Sequence, residues 1–294
     1  MPLPLPTIFL VGVNRSGTSA LMHSFANHPA FEVIKDPEKF AFESRGEMTF
    51  RHFSKAPTNE NVRARLIKQS VGQYTVDLCC LPLYPIGPER VPLLRELVHA
   101  FIVRRPSQVW NSWAKMTKWI RASDDPEVIA MWSSLTEEYG IEKGWGDLNM
   151  FRLAYTYVYT TFAYVRRLCP DRVVVIQQER LAEDAYARAT LKGLCSAVGV
   201  AFDERMVQWN QTFGDKSLNV TDGFADYGSI DSLERREIHR NLRASSSFAK
   251  TEAALVIPES EASAMDSGEL GRFYEEMIET RNPFVLGEPE WDSS

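Results

Sequence analysis

The stretch that most constrains this chain lies near its start. An apolar, β-branched run, Thr7-Ile-Phe-Leu-Val-Gly-Val13, passes directly into Gly12-Val-Asn-Arg-Ser-Gly-Thr-Ser19. A segment from Ser19 to Asn27 follows, with Leu21, Met22 and Phe25 at helical spacing. A buried strand, a glycine-bearing turn and a helix, in that order, make an anion cradle. The glycines let the backbone wrap the anion, and the amides of the turn point at it with the positive end of the helix dipole behind them. The turn fits the phosphate-loop frame G-x-x-x-x-G-K-[ST] at every fixed position but one, since Thr18 stands where the lysine belongs. The cradle survives that substitution. What it loses is the lysine that ATPases and nucleotide kinases place on the β- and γ-phosphates; Arg15 supplies a cation from inside the loop instead.

Two further apolar runs, Val98-His-Ala-Phe-Ile-Val103 and Asp171-Arg-Val-Val-Val-Ile176, each precede a helix-compatible stretch. Strands alternating with helices predict βαβ units, and so a three-layer α/β fold of the P-loop kind with a central parallel sheet flanked by helices. Between the two runs we expect a helical, aromatic-rich insert. It holds Trp110, Trp113, Trp119, Trp132 and Trp145, five of the seven tryptophans, and the Tyr155 to Tyr164 cluster. Aromatics at this density more often make core than a ligand cage, because each buries a large area. Asn210 to Tyr227, rich in Gly, Asn, Asp and Thr, and Pro258 to Gly271, acidic with small residues, both read as loops, and residues 287–294 as a frayed tail. No boundary or repeat divides 1–294, so a single domain is expected.

Composition narrows the function. With 44% hydrophobic and 24% charged residues over 294 positions, the chain has a globular balance that excludes extended disorder and fibrous repeats. Its 33 Lys plus Arg against 39 Asp plus Glu give a formal charge of -6, which argues against nucleic acid as a partner. Cys79, Cys80, Cys169 and Cys195 lack the C-x-x-C spacing of a zinc or redox site and predict a reducing compartment. No cationic stretch leads an apolar one at the N-terminus, Pro2, Pro4 and Pro6 interrupt it, and no apolar run approaches the ~20 residues that span a bilayer. A cytoplasmic protein without a membrane anchor is the expectation. His23, His28, His52, His99 and His239 fall at no metal-ligand spacing, so no metal is expected.

A magnesium-dependent NTPase would place an acidic residue at the end of a neighbouring strand. The Val98 to Val103 strand ends instead in Arg104-Arg105. Arginines in that place suit a nucleotide with additional phosphate charge and no obligatory magnesium.

In these features the sequence resembles the sulfotransferase family, which transfers a sulfuryl group from 3′-phosphoadenosine 5′-phosphosulfate (PAPS). Asn14-Arg-Ser-Gly-Thr-Ser19 is similar to the family's P-[KR]-[SA]-G-T-[TS] loop for the 5′-phosphosulfate, with Asn14 replacing the proline. Arg104-Arg-Pro106 followed by Ser112 is similar to the family's R-[DN]-P element with a serine eight residues on, which binds the 3′-phosphate. Val173 to Leu181 and the helix reaching Val198-Gly-Val200 extend a weaker likeness over roughly residues 7 to 205. The resemblance implies donor contacts from Asn14, Arg15, Ser16, Gly17, Thr18, Ser19, Arg104 and Ser112, and from Lys216 in the late loop. It also implies that Arg15 steadies the charge that moves onto the leaving phosphate.

An acceptor hydroxyl or amine must lose a proton, which calls for a general base. The family's cytosolic branch uses the histidine of K-x-H-L-P-L; Leu78-Cys-Cys-Leu-Pro-Leu83 is similar but carries Leu78 and Cys80 at the lysine and histidine. Another branch uses the carboxylate of K-E-x-x-F-F, and Lys35-Asp-Pro-Glu-Lys-Phe40 resembles it, with Asp36 at the carboxylate. Asp36 is the first candidate, with Glu38 and Asp77 behind it. The acceptor is expected to be a small molecule, and the aromatic insert would suit an apolar or ring-containing one. Two other readings stay open: a P-loop kinase lacking the usual lysine, and a catalytically silent nucleotide-binding module.

Overall fold

The computed structural model describes residues 3–36, 51–72, 91–122, 126, 148–209, 220–222, 247–248, 255–280 and 282. In chain order, β1 (Thr7–Val13), α1 (Thr18–Ala26), β2 (Phe31–Lys35), β3 (Ala64–Val71) and α2 (Val91–Glu96) lead to β4 (Val98–Val103) and α3 (Pro106–Arg121). Then come α4 (Leu148–Leu168), β5 (Val173–Gln177), α5 (Asp184–Ala197), β6 (Val220–Asp222), α6 (Glu259–Ser267) and α7 (Glu269–Ile278). The strands form one six-stranded sheet in the order β5-β4-β1-β3-β2-β6, and every pairing is parallel.

Strand alternation divides the interior into two cores. Phe9, Val11 and Val13 of β1 face one side of the sheet, where α3, α4, α6 and α7 add Trp110, Trp113, Phe151, Met265 and Phe273. Ile8 and Leu10 face the other side, with Leu21, Met22 and Phe25 of α1 and Leu191 and Leu194 of α5. The result is the expected three-layer α/β fold with a parallel sheet flanked by helices. The described part of the insert is helical, α3 and α4, and its described tryptophans Trp110 and Trp113 are buried core. Trp132 and Trp145 lie outside the described residues.

Two segments differ from expectation. Pro258 to Gly271 is not a loop: it forms α6 and the first turn of α7. Ala262 and Met265, then Leu270, Phe273, Tyr274 and Met277, make an apolar stripe that the acidic and small residues between them conceal. Within 210–227, Val220–Asp222 adds a short strand, with Val220 opposite Val33. The remainder of that segment and residues 287–294 lie outside the described residues.

Strand order places the site. The chain leaves β1 toward β2 and β3 on one side and reaches β4 and β5 on the other, so β1 is where the crossover direction reverses. The carboxyl end of such a strand opens onto the crevice where α/β sheets bind ligands.

Candidate functional site

The turn after β1 is held from three sides. On the β3 side, Asn14 N donates to Val71 O at 2.7 Å. The approach is so close that a Cβ on Gly72 would fall 2.0 Å from Asn14 Nδ2. From α3, Trp113 Nε1 donates to Asn14 O at 2.7 Å, giving this fully buried indole the acceptor that its N–H requires. Against β4, a Cβ on Gly12 would lie 2.8 Å from Ile102 O, so only glycine lets the strand pass. Arg15 has φ 75 and Gly17 φ 95. Left-handed backbone at a non-glycine residue is uncommon and persists where the surroundings hold it, often at functional sites.

The interior of this turn fits an anion. Ser16 is buried, and its Oγ has no hydrogen-bond partner among the described residues. Thr18 and Ser19 open α1, and their amides precede the first helical bonds, which Ala20 N and Leu21 N make to Gly17 O. Gly17 caps the helix without a side-chain bond, and no acidic residue occupies the first turn. The turn thus offers donors and no competing negative charge.

Arg104 and Ser112 converge on the same turn from the β4–α3 unit. Arg15 Nε donates to Ser112 Oγ at 3.0 Å, which leaves the serine proton free to donate onward. Arg104 Nη1 reaches Arg15 O at 3.4 Å and its Nε donates to Gln108 Oε1 at 3.1 Å. No carboxylate pairs with Arg104 among the described residues. Burial pulls its pKa below the ordinary guanidinium value, with Glu179 opposing from a distance. Tyr155, on α4, donates its hydroxyl to Arg104 O at 2.8 Å and so fixes the backbone that carries the guanidinium. Beside it, Arg105 N donates to Glu179 Oε1 at 2.7 Å.

The α3 helix is itself held from a distance. Asp266 on α6 accepts from Ser107 N at 2.9 Å and Ser107 Oγ at 2.6 Å, a cap on the α3 N-terminus supplied from the far end of the chain. Trp110 Nε1 donates to Glu261 Oε1 at 2.6 Å on the same helix pair.

Asp36 directly follows β2 and lies buried. Its Oδ2 accepts from Lys68 Nζ at 2.6 Å and its Oδ1 from Ser70 N at 2.8 Å. Ser70 Oγ lies 3.1 Å from Thr18 Oγ1. The expected donor residues Asn14, Arg15, Ser16, Gly17, Thr18, Ser19, Arg104 and Ser112 therefore surround one turn, and Asp36 reaches it through Ser70. Glu38, Asp77 and Lys216 lie outside the described residues.

Sequence reasoning missed Lys68, Ser70, Gln108, Trp113 and Tyr155. For Trp113 a signal existed: it follows Ser112, and a buried indole must find an acceptor. His99 is core, its Nε2 donating to Leu94 O at 2.7 Å. Among the described residues no helix is long and apolar enough to cross a membrane.

No family model matches the chain, and no curated protein matches it. Solved structures do. A sulfotransferase from Alicyclobacillus acidocaldarius is 15% identical with a TM-score of 0.43, covering 67% of this chain and 81% of its own. The sulfotransferase domain of the Synechococcus PCC 7002 olefin synthase is 16% identical with a TM-score of 0.38, covering 92% and 97%. The sulfotransferase domain from the curacin biosynthetic pathway is 15% identical with a TM-score of 0.46, covering 95% and 99%. All three are sulfotransferases. At these identities and scores, the chemistry is left to the chain's own residues.

Proposed function

We propose that this protein is a sulfotransferase that moves a sulfuryl group from PAPS to a hydroxyl or amine of a small-molecule acceptor. One observation carries the reading: Arg104, a half-buried cation with no carboxylate partner among the described residues, stands with Ser112 beside Arg15 of the turn after β1. A guanidinium partly withdrawn from water without a counter-charge is disfavoured, and a bisphosphorylated nucleotide would supply the missing negative charge. The buried Ser16 hydroxyl and the glycine cradle at positions 12 and 17 fit the 5′ end of the same molecule.

PAPS supplies the sulfuryl group, which passes in line to the acceptor while the adenosine bisphosphate leaves. In such a transfer, positioning and electrostatic stabilisation dominate. Arg15, with Ser16, Thr18, Ser19 and the turn amides, holds the 5′-phosphosulfate and meets the charge that grows on the leaving oxygen, an interaction stronger in the transition state than before it. Arg104 and Ser112 hold the 3′-phosphate through charge-assisted bonds. Lys216 would add a further cation, and a general base takes the acceptor's proton, for which the sequence offers Asp36 and Glu38. The reaction needs no metal, and a cytoplasmic setting would supply PAPS.

The test has two stages. Calorimetry compares 3′-phosphoadenosine 5′-phosphate (PAP), the donor's product, with ATP plus Mg²⁺; tight binding of the first and weak binding of the second is expected. A preference for ATP would turn the reading to a kinase. Transfer of labelled sulfate to members of an acceptor library then separates an enzyme from a silent binding module.

A further inference from the structure

Asp36 has φ 44, in the left-handed region, and stands directly before a proline in the sequence, where extended backbone is favoured. Hydrogen bonds hold it there. Its own N–H donates to Lys68 O at 2.6 Å, and its carboxylate spans Lys68 Nζ and Ser70 N. Asp36 is 5% exposed and Lys68 3%. Each carboxylate oxygen already receives an N–H donor, one of them a full ammonium, which suits a fixed anion and does not suit a group that must collect a proton from a substrate.

What this anion fixes is the floor of the phosphate turn. Ser70 pairs with Gly12 across the β1–β3 ladder, its hydroxyl meets Thr18 Oγ1, and the next residue, Val71, receives Asn14 N. A continuous chain of bonds therefore runs from Lys68 through Asp36 and Ser70 to the first turn of α1. We propose that Asp36 is a positioning residue of the donor site: paired with Lys68, it sets Ser70 and, through it, Thr18, so that the turn amides face the donor's 5′-phosphosulfate. The acceptor's proton then goes to another group. This assignment rests on the sulfotransferase reading and replaces Asp36 as its base.

The test uses Asp36→Asn, Lys68→Met and the double variant, with PAP and inorganic sulfate as calorimetric probes and single-turnover transfer at saturating donor as the rate. Each single variant unbalances the buried pair, whereas the double variant removes both of its charges. We expect each single variant to bind both probes about tenfold or more weakly and to transfer more slowly at saturating donor, and the double variant to regain most of both losses. A base would give the opposite pattern: probe affinity intact, and the rate down about 10²-fold or more in Asp36→Asn and the double variant alike. That pattern overturns the proposal. If Asp36→Asn does not fold, Ser70→Ala cuts only the hydroxyl link; unchanged affinity for both probes in that variant also overturns it. Wild-type protein that binds neither PAP nor sulfate would end the donor-site reading itself, a result distinct from wild-type protein that binds both while the variants bind equally well.

Discussion

Replacing Arg104 by alanine separates the two ends of the proposed donor. Its guanidinium carries a charge that burial disfavours and that no carboxylate among the described residues neutralises. Truncation therefore removes a desolvation cost together with two ordinary hydrogen bonds, to Gln108 and to the Arg15 carbonyl. Unfolding free energy should change by less than about 1 kcal/mol. Binding is different. A hydrogen bond to a charged group contributes roughly 1.5–3 kcal/mol, and at about 1.4 kcal/mol per decade that predicts PAP binding about 10- to 150-fold weaker. Adenosine 5′-phosphate lacks the 3′-phosphate, so its affinity should change by less than about twofold. Calorimetric titration of both nucleotides against wild type and Arg104→Ala gives the comparison. Equal losses for the two ligands would refute the assignment, because they would mean that Arg104 acts by bracing the Arg15 carbonyl and not by holding a phosphate.

Three other outcomes are expected. Arg15→Ala should lower turnover by about 10²-fold or more while circular dichroism stays native; wild-type turnover would remove Arg15 from the chemistry. Arg65 is buried and paired with Glu32, and it also donates to the carbonyls of His52, Phe53, Lys55 and Ala56. Arg65→Met should cost about 3–5 kcal/mol in urea unfolding, and adding Glu32→Leu should return part of it; an additive double variant would show that the ion pair is not what matters. Burial lowers His99 from 6.5 to about 4, against the raising effect of its bond to Leu94 O, and Arg172 lowers it further. The unfolded chain then binds this proton before the native one does. The stability due to neutral His99 is full above pH 6.5 and is lost as pH falls toward 4, about 3 kcal/mol in all. In His99→Gln the stability profile across that window should be flatter than in wild type, and parallel profiles would dismiss the assignment.

The strand, turn and helix at positions 7–26 were legible because their signals are local. Glycine at 12 and 17 and an amphipathic start to α1 lie within one short stretch, and each is needed by its own backbone. The Arg104 and Ser112 spacing was legible for the same reason, since both sit on one strand–helix junction. Strands β2 and β3 were not. Both are wholly buried, yet they carry Glu32, Lys35, Arg65, Lys68, Gln69 and Ser70, so neither reads as an apolar run. Their charges are satisfied across the sheet, Glu32 by Arg65 and Asp36 by Lys68, and no window of a dozen residues contains both partners. The pairing of Asp36 was hidden for that reason: its likeness to the K-E-x-x-F-F pattern points to a base, and only the ladder that brings Ser70 and Lys68 beside it shows both its oxygens engaged. Pro258 to Gly271 was misread on composition, because acidic and small residues hid a stripe spaced for helix.

The cap that Asp266 places on α3 bears on the order in which the molecule is completed during synthesis. The glycine turn leaves the ribosome before Ser112, and the helix bearing Ser112 lacks its clamp until the chain has grown past position 266. A nascent protein therefore carries the sequence of the proposed donor site long before α3 is fixed in place, and ribosome-stalled fragments ending short of α6 should not retain PAP.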